Sequence, residues 1–469
     1  MSSPLWREDE LAAALGSPDA ALTRAVAGVS IDTRTLEPGD LFVAILGDAH
    51  DGHAFVANAF AARAAAAIVA RGEADALRGH GPLFAVDDPL KAMEALGAAA
   101  RARSAARIVA VTGSVGKTSA KEMLRVALGA VGRTHASSAS YNNHWGVPLT
   151  LARLPREARF GVFEIGMNHA GEIAALAPQV KPHVALITTI APVHIENLGS
   201  LRAIAEAKAE VFLGMDGGVA VLNRDAPEFE TLSARAKARG ANVVTFGRSP
   251  DADARLIALE AHDGGSSVRA TRRGAPSNFA LGAPGEHMAL NALGALLAAE
   301  ALGADVALCA RALADFRPQK GRGERLTLMR DGRPFTLIDE SYNANPASMR
   351  AALTLLGDAK PGAGGRRIAI LGDMLELGPE GANLHADLAP SLEKNRVDLL
   401  IGAGPLTKAL VERASSLTRT LWGATSAEIA SAALEEVRPG DVVMVKGSNG
   451  SRMGPIVAAL CGRYAPKGH

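Results

Sequence analysis

Cysteine, net charge and long apolar runs are scarce in this chain of 469 residues. The only two cysteines, Cys309 and Cys461, lie far apart, so a disulfide framework or a cysteine metal site is excluded. The formal net charge of +1 excludes a general attraction to nucleic acid or to an anionic membrane. No apolar run reaches the ~20 residues that a bilayer crossing needs, and the polar start "MSSPLWREDE" is unlike a signal peptide. We therefore expect a cytoplasmic protein with no nucleic-acid partner and no membrane insertion.

The chain is instead rich in alternating strand-like and helical sequence. Short buried runs such as "RIVAVTG", "FGVFEIG" and "HVALITTI" each follow helical sequence, which predicts a doubly wound parallel sheet. A polar stretch at 253–282 predicts a small antiparallel insert, and the Pro/Gly-rich "FRPQKGRGER" (316–325) predicts a linker. The predicted fold is α/β with three domains: a small mixed α/β domain (1–86), a central doubly wound domain (87–318) and a C-terminal Rossmann-like domain (319–469).

A glycine-rich loop follows the first strand of the central domain. In "RIVAVTGSVGKTSAKEML" the glycines let backbone N–H groups approach phosphate oxygens at a helix N-terminus. Lys117 would reach the β- and γ-phosphates, and the Thr118 hydroxyl would hold Mg²⁺. Val111 stands where the full G-x-x-x-x-G-K-[ST] pattern has glycine, and a Gly-Lys-Thr tripeptide also arises by chance. The strand–loop–helix context favours nucleotide binding and makes the central domain a P-loop domain.

Polar residues close the neighbouring strands, where ligands of doubly wound sheets bind. Glu164 ends "FGVFE", His194 follows "HVALITTIAPV", and Asn223 follows "GGVAVL". Taken singly, a strand-end glutamate is often merely solvated, and a lone histidine is usually an ordinary surface or core residue. Together, Thr118, Glu164 and His194 offer the ligand types that divalent ions take. The set predicts a Mg²⁺ site, and the histidine suggests a second ion, Mg²⁺ or Mn²⁺.

Lys208 occupies an unexpected position in "LRAIAEAKAEVFLG" (201–214). It completes an apolar helical stripe, whereas Glu206 and Glu210 point elsewhere. One interpretation is a salt bridge, or a side chain that extends to water. The other is a buried amine whose lowered pKa makes it nucleophilic, so that it takes up CO₂ and becomes an anionic metal ligand.

Several long strings resemble the Mur ligase family, the ATP-dependent amide ligases of cytoplasmic peptidoglycan synthesis. They are "TGSVGKT", "YNNHWGVPLTL" (141–151), "EIGMNHAGEI" (164–173), "VHIENLGS" (193–200), "DESYNANPASM" (339–349) and "LGDMLELG" (371–378). The family's P-loop lacks the early glycine, so Val111 fits it. The strings are most similar to members that add D-alanyl-D-alanine, and the Asp-Asn-Pro-Arg motif of the members that add the third amino acid is absent.

The resemblance implies an activity and a set of site residues. The activity joins D-alanyl-D-alanine to UDP-N-acetylmuramoyl-tripeptide through an acyl phosphate, in a monomer that uses ATP, two Mg²⁺ ions and a carbamate on Lys208. The implied catalytic residues are Lys117, Glu164, His194 and Lys208, and the implied metal ligands are Thr118, Glu164, His194 and Lys208. The implied ATP contacts are Gly113, Ser114, Val115, Gly116, Lys117, Thr118, Ser119, Asn291, Arg322 and Asp339. The implied UDP-sugar and dipeptide contacts are Ser30, Asp32, Arg34, Asp51, His53, Asn142, Asn143, Asn343, Asn345 and Pro346.

This chain departs from the family pattern at a few positions. Met288 replaces a usual asparagine beside Asn291, and Glu340 replaces an aspartate. Two other functions remain possible: a ligase of the same fold that acts on another amino acid or on a folate, and a nucleotide-binding regulator without catalysis. The third residue of the tripeptide, lysine or a diaminopimelate, is left open.

Overall fold

The computed structural model describes residues 4–16, 22, 25–47, 50–138, 140–193, 195–262 and 264–465. Within these ranges the strands form three separate sheets, which occur one after another along the chain. The prediction of an α/β fold in three domains is confirmed. The residue boundaries after 86 and after 318 stay predictions. None of the helices in the described ranges combines the length and the apolar character that crossing a membrane requires.

The first domain contains a small parallel sheet. Its order is β1-β2-β3-β4, with strands β1 Gly28–Ser30, β2 Asp40–Val43, β3 Ala66–Ala70 and β4 Leu83–Val86. The accompanying helices are α1 Glu8–Leu15, α2 Val56–Ala61 and α3 Ala74–Leu77, with 3-10 turns at Gly52–Phe55 and Arg71–Glu73. The buried apolar residues of this sheet are aliphatic apart from Phe42 and Phe84, in keeping with an aromatic content of 4%, and Ser30 and Asp40 are its buried polar residues.

The central domain is built on a larger sheet of order β13-β12-β11-β10-β9-β8-β5-β7-β6. The strands are β5 Arg107–Thr112, β6 Thr134–Ala136, β7 Phe160–Glu164, β8 Val184–Ile187, β9 Val219–Asn223, β10 Asn242–Gly247, β11 Ala254–His262, β12 Gly265–Arg272, β13 Ala275–Pro276 and β14 Phe279–Leu281. The helices are α4 Pro89–Arg103, α5 Lys117–Gly129, α6 Gly146–Ala152, α7 Glu172–Val180, α8 Ile195–Leu198, α9 Leu201–Ala209, α10 Phe229–Ala238, α11 Glu286–Ala301 and α12 Val306–Ala312, with 3-10 turns at Glu210–Gly214 and Leu313–Asp315.

The pairing within this sheet explains both the alternation of strand and helix sequence and the polar stretch at 253–282. Strands β5 to β11 pair in parallel, and their helices cover both faces. Alternate residues of β5 show this directly: Ile108 lies in the core beside α4, and Val109 lies in the core beside α5 and α11. Strands β11 to β14 pair antiparallel, as the polar stretch at 253–282 predicts.

The third domain has a sheet of order β15-β16-β20-β17-β18-β19. Its strands are β15 Glu324–Arg330, β16 Arg333–Glu340, β17 Arg367–Gly372, β18 Leu399–Ala403, β19 Arg419–Gly423 and β20 Val442–Lys446. Its helices are α13 Pro346–Asp358, α14 Gly381–Ala386, α15 Ala389–Lys394, α16 Thr407–Ala414, α17 Ser426–Glu436 and α18 Gly454–Tyr464, with 3-10 turns at Gly378–Glu380 and Asn449–Ser451. The β15–β16 hairpin is antiparallel and the other pairs are parallel. Strand β15 starts inside the predicted linker, because the hairpin begins as soon as the glycines end.

Candidate active site

The loop between β5 and α5 has a backbone that only glycine allows at two positions. Gly113 has φ +143°, and a Cβ there would lie 2.0 Å from the Thr188 hydroxyl oxygen. Gly116 has φ +85°, and a Cβ there would lie 2.7 Å from the side-chain nitrogen of Asn291. The loop therefore lies directly against the end of β8 and against α11. This close packing holds its N–H groups at the start of α5, where an anion binds most favourably.

Lys117 and its neighbours complete this loop. The Lys117 ammonium donates to the Gly113 carbonyl at 2.8 Å, and burial lowers its pKa below the ordinary lysine value. Ser114 donates its hydroxyl to the Ala191 carbonyl, and Thr188 donates its own to the Val115 carbonyl. The lysine thus bonds to its own loop, which keeps its ammonium beside the glycine N–H groups at the start of α5.

Glu164 lies buried at the centre of a polar cluster. Its Oε1 accepts from the Thr118 hydroxyl at 3.2 Å and from the Asn142 amide at 2.7 Å. Its Oε2 is buried without a hydrogen-bond partner in the described part of the chain, and the Lys121 ammonium is 3.9 Å away. An unsatisfied buried carboxylate oxygen is costly, so Oε2 is available to a cation.

Lys121 belongs to this cluster although the sequence analysis did not select it. Its ammonium is fully buried, donates to the Ser137 carbonyl at 3.0 Å and lies 3.1 Å from a Glu122 carboxylate oxygen. It follows Lys117 by four residues on α5, and this helical spacing was the signal that could have identified it.

Lys208 is buried on α9, with a relative exposure of 1%. No hydrogen bond or ion pair to another described residue involves its ammonium, so neither the salt-bridge nor the exposed-lysine interpretation fits. Burial, and secondarily the Lys117 ammonium, holds the pKa of Lys208 well below its ordinary value. Glu206 pairs with Arg235, and Glu210 accepts from backbone N–H groups at the start of α7, as two carboxylates that point elsewhere should. His194 lies outside the described residues.

The linker and third domain contribute a second group of side chains. Arg322 donates to the Ser140 hydroxyl at 3.1 Å, and its guanidinium stacks 4.0 Å from the centre of the Tyr342 ring. Asp339 is buried, and its carboxylate accepts from Gly321 N–H and from Ser341. Asp339 therefore holds the linker turn that presents Arg322.

The loop after β16 starts helix α13. The Asn345 side chain caps this helix by accepting from Ser348 N–H, and Pro346 occupies its first turn. Asn343 accepts from Ala344 N–H, and its carbonyl accepts from the Lys446 ammonium. Lys446 was not predicted, although it ends β20 as Glu164 ends β7. The strand-end rule, applied to the third domain as well, would have found it.

These residues line one cleft of about 860 Å³ between the central and third domains. The predicted site residues among its lining are Ser114, Val115, Gly116, Lys117, Thr118, Ser119, Asn142, Asn143, Glu164, Asn291, Arg322, Asn343 and Asn345. Asn223, Met288 and Glu340 also line it. The predicted residues Gly113, Lys208, Asp339 and Pro346 are not among its lining residues.

The first-domain residues predicted for the uridine diphosphate are not part of the lining of this cleft, unlike Asn142 and Asn143. Asp32 and Arg34 form a bidentate pair, which lowers the pKa of Asp32, and the buried Ser30 hydroxyl donates to the Asp32 carbonyl. His53 accepts from Ala70 N–H at Nε2, so its proton is on Nδ1, 2.6 Å from Asp51. The two nitrogens of His53 thus join the turn at Asp51 to the end of β3.

Direct hydrogen bonds join the first domain to the central domain. Arg153, which follows α6, donates to the Val29 carbonyl of β1, and the Trp6 indole N–H donates to the Ala152 carbonyl at the end of α6. Strand β1 ends at Ser30, so the turn that holds Asp32 and Arg34 follows directly on this contact.

Known proteins resemble this chain over almost its whole length. Family models match in each domain: "Mur ligase family, catalytic domain" at 25–78, "Mur ligase middle domain" at 111–299 and "Mur ligase, glutamate ligase domain" at 324–449. The UDP-N-acetylmuramoyl-tripeptide–D-alanyl-D-alanine ligase of Bacillus subtilis is 31% identical over 92% of this chain and 93% of its own length. The chain belongs to the Mur ligase family.

Other Mur ligases are also similar to this chain over nearly its full length. The enzyme of the same name from Escherichia coli is 32% identical, again over 92% of this chain and 93% of its own length. The crystal structure of MurF from Acinetobacter baumannii superposes with a TM-score of 0.82, at 29% identity, and covers 97% of this chain and 98% of its own. The Mur ligase similarity thus includes all three domains.

Proposed function

We propose that this Mur ligase joins D-alanyl-D-alanine to UDP-N-acetylmuramoyl-tripeptide with consumption of ATP, as a cytoplasmic monomer. The observation that carries the proposal is the cleft, in which the phosphate loop and Glu164 of one domain face Asn343 and Lys446 of another. A reaction with three substrates needs each held by its own element and all brought to one point. The similarity to full-length D-alanyl-D-alanine ligases supports the choice of substrates.

ATP would bind at the phosphate loop. Lys117 would exchange its bond to Gly113 for the β- and γ-phosphates, and Asn291, which packs against Gly116, would contact the base. Arg322 would reach the nucleotide from the linker, and Asp339 would act through that linker turn. Met288 offers an apolar contact on this side of the cleft, where the family has an asparagine.

The residues of the Glu164 cluster fit Mg²⁺. Thr118 and Glu164 provide a hydroxyl and a carboxylate 3.2 Å apart, and Oε2 of Glu164 lacks a partner in the described ranges. Those ranges hold no group of three or more His, Cys, Asp or Glu side chains that could bind a metal, in keeping with an ion held by few protein ligands and the phosphates. We propose that His194 and a carbamate on Lys208 complete the set for two ions, which would neutralise charge on the transferred phosphoryl group.

The acceptor substrate would extend from the first domain into the cleft. Arg34 and the turn held by Asp51 and His53 would receive the uridine diphosphate, and Asn142 and Asn143 would face the sugar and peptide. Ser30 and Asp32 would support that cradle through their hydrogen bonds. Such a path would lead the carboxylate of the tripeptide towards Lys117.

The reaction would proceed in two steps within the cleft. A carboxylate oxygen of the tripeptide attacks the γ-phosphorus of ATP, which gives an acyl phosphate and ADP. The amine of D-alanyl-D-alanine, held near Asn343 and Asn345, then attacks the carbonyl carbon, and phosphate leaves. The facing walls of the two domains would shield the acyl phosphate from water.

An assay over a matrix of acceptors and amines tests the substrates. We expect release of ADP and phosphate only when UDP-tripeptide and D-alanyl-D-alanine are both present. The matrix includes tripeptides with lysine and with diaminopimelate as the third residue, and we expect activity with at least one of them. Single amino acids with UDP-dipeptide, or glutamate with a folate, should give none. Rapid ATP turnover with either of those pairs, or with no second substrate at all, would refute the proposal.

A further inference from the structure

The third-domain wall of the cleft contains a buried ion pair with no role in the steps above. Glu340 and Lys446 end the neighbouring parallel strands β16 and β20 and are partners in register. The Lys446 ammonium lies 3.2 Å from a Glu340 oxygen, and the two side chains are 13% (Glu340) and 3% (Lys446) exposed. Because burying two ions is costly, such a pair is weak support for stability and calls for another explanation.

We propose that Lys446 holds the terminal carboxylate of the incoming dipeptide, an inference that rests on the proposed function. An ammonium has three N–H donors. In the described part of the chain, two of them are engaged, one by Glu340 and one by the Asn343 carbonyl at 2.9 Å. Lys446 also lines the cleft, so its third donor is available to an anion there.

The segment after Lys446 supports an anion at the same place. Ser448 N–H donates to the Asp373 carbonyl and Ser451 N–H to the Ser448 carbonyl. The intervening N–H groups of Asn449 and Gly450 have no acceptor within the described ranges, and both residues line the cleft. Ser448 also donates its hydroxyl to the Ala344 carbonyl at 3.3 Å. The segment thus holds the Asn343–Asn345 loop and offers hydrogen-bond donors beside it.

The local charge favours a carboxylate over a phosphate. Glu340 balances Lys446, so the pair carries no net positive charge to offset the several charges of a nucleotide phosphate. A peptide carboxylate has a single charge and accepts several hydrogen bonds at once. The phosphate loop, with Lys117, lies on the opposite domain. The C-terminal end of the dipeptide is therefore the anion that fits Lys446.

The test compares D-alanyl-D-alanine with its C-terminal amide, D-alanyl-D-alaninamide, as substrates. We expect the unmodified enzyme to favour the free carboxylate by about 10- to 100-fold in kcat/KM, the usual effect of hydrogen bonds to a charged group. In Lys446→Met this preference should shrink to about twofold or less, because the rate with the carboxylate falls while that with the amide stays. The KM for ATP should stay within about twofold.

Two further variants keep the result interpretable. A Glu340→Gln/Lys446→Met double variant leaves no lone buried carboxylate and should show the same lost preference. Lys408→Met, at an exposed lysine on α16, should keep the full preference. Equal use of both substrates by the unmodified enzyme would overturn the inference. So would a Lys446→Met enzyme that keeps the preference and shows a raised KM for ATP instead. The proposed function would stand in either case. No turnover with the dipeptide at all would remove the proposed function and this inference with it.

Discussion

At the scale of the residue, Lys208 is a charge that the fold does not compensate. Its ammonium is 1% exposed and unpaired among the described residues, and burial pushes its pKa far down. A neutral amine is nucleophilic and reacts with CO₂. The resulting carbamate would be an anion close to Lys117, where the ammonium of Lys208 would repel it. This is the physical reason to expect the modification.

Replacement of Lys208 with arginine tests that expectation. Arginine keeps the positive charge and cannot form the carbamate, so ligase activity should fall about 100-fold, as expected when a metal ligand is lost. The unmodified enzyme in ¹³C-bicarbonate should show a carbamate resonance by NMR, and Lys208→Arg should not. Lys408→Arg, at an exposed position, serves as the control. Full activity of Lys208→Arg would mean that the lysine is only a packing residue.

Individual side chains differ in how far sequence could predict them. The burial of Lys208 follows from helical periodicity, because Ile204, Ala205 and Lys208 share α9. The stripe continues into the 3-10 turn that follows, where Val211 and Phe212 are also buried. The Asn142 amide reaches Glu164 across 22 positions in the sequence, and Lys446 reaches Glu340 across 106. Such pairs depend on strand order and loop path, which local patterns do not contain. Asp339 likewise could be placed at a strand end, but not shown to bond with its own linker turn.

At the scale of the element, the phosphate loop depends on its contact with β8 and α11. Its glycines are required by φ and by space, because Thr188 and Asn291 lie where Cβ atoms of Gly113 and Gly116 would be. The strand–loop–helix order was predicted from sequence, because a short buried run and a helix start are local features. The packing partners Thr188 and Asn291 come from distant segments and could not be predicted.

Replacement of Gly113 with alanine should therefore displace the loop. The added Cβ would lie 2.0 Å from Thr188 at a φ of +143°, so the loop must move, and affinity for ATP should fall at least about tenfold. Calorimetric titration with ATP measures this. Gly129→Ala, at the end of the helix that follows the loop, is a control, since no neighbouring atom lies within 4 Å of its Cβ. Unchanged affinity in Gly113→Ala would show that nucleotide binding does not depend on this loop.

Whole elements were predicted where the sequence repeats a simple pattern. The strands of the central sheet from β7 to β10 each match a buried run, and the antiparallel insert follows its change in composition. The edge strands β6 and β19 were not identified, because short edge strands carry little apolar sequence. Strand β15 was not predicted either, because its first residues belong to the stretch that was assigned to the linker.

At the scale of the whole molecule, the third domain supplies what the phosphate loop lacks. The central domain alone provides a lysine, a glutamate and glycine N–H groups, which suit any nucleotide hydrolase. The opposite wall adds the side-chain amides of Asn343 and Asn345, the ammonium of Lys446, and the stacked pair of Arg322 and Tyr342. Arg322 also bonds to Ser140 of the central domain, so the linker touches both walls. Such a cleft suits a reaction in which a reactive intermediate forms at the phosphate loop and then reacts with a substrate that the third domain holds.

The central claim is that this intermediate is an acyl phosphate, and the path of one oxygen atom tests it. UDP-tripeptide with ¹⁸O in its reacting carboxylate is incubated with ATP and D-alanyl-D-alanine, and the products are analysed by mass spectrometry. We predict one ¹⁸O atom in the released phosphate and none in ADP. Activation through AMP would place the label in AMP, and transfer of the γ-phosphoryl group to water instead of the carboxylate would leave the phosphate unlabelled. Either result would contradict the account.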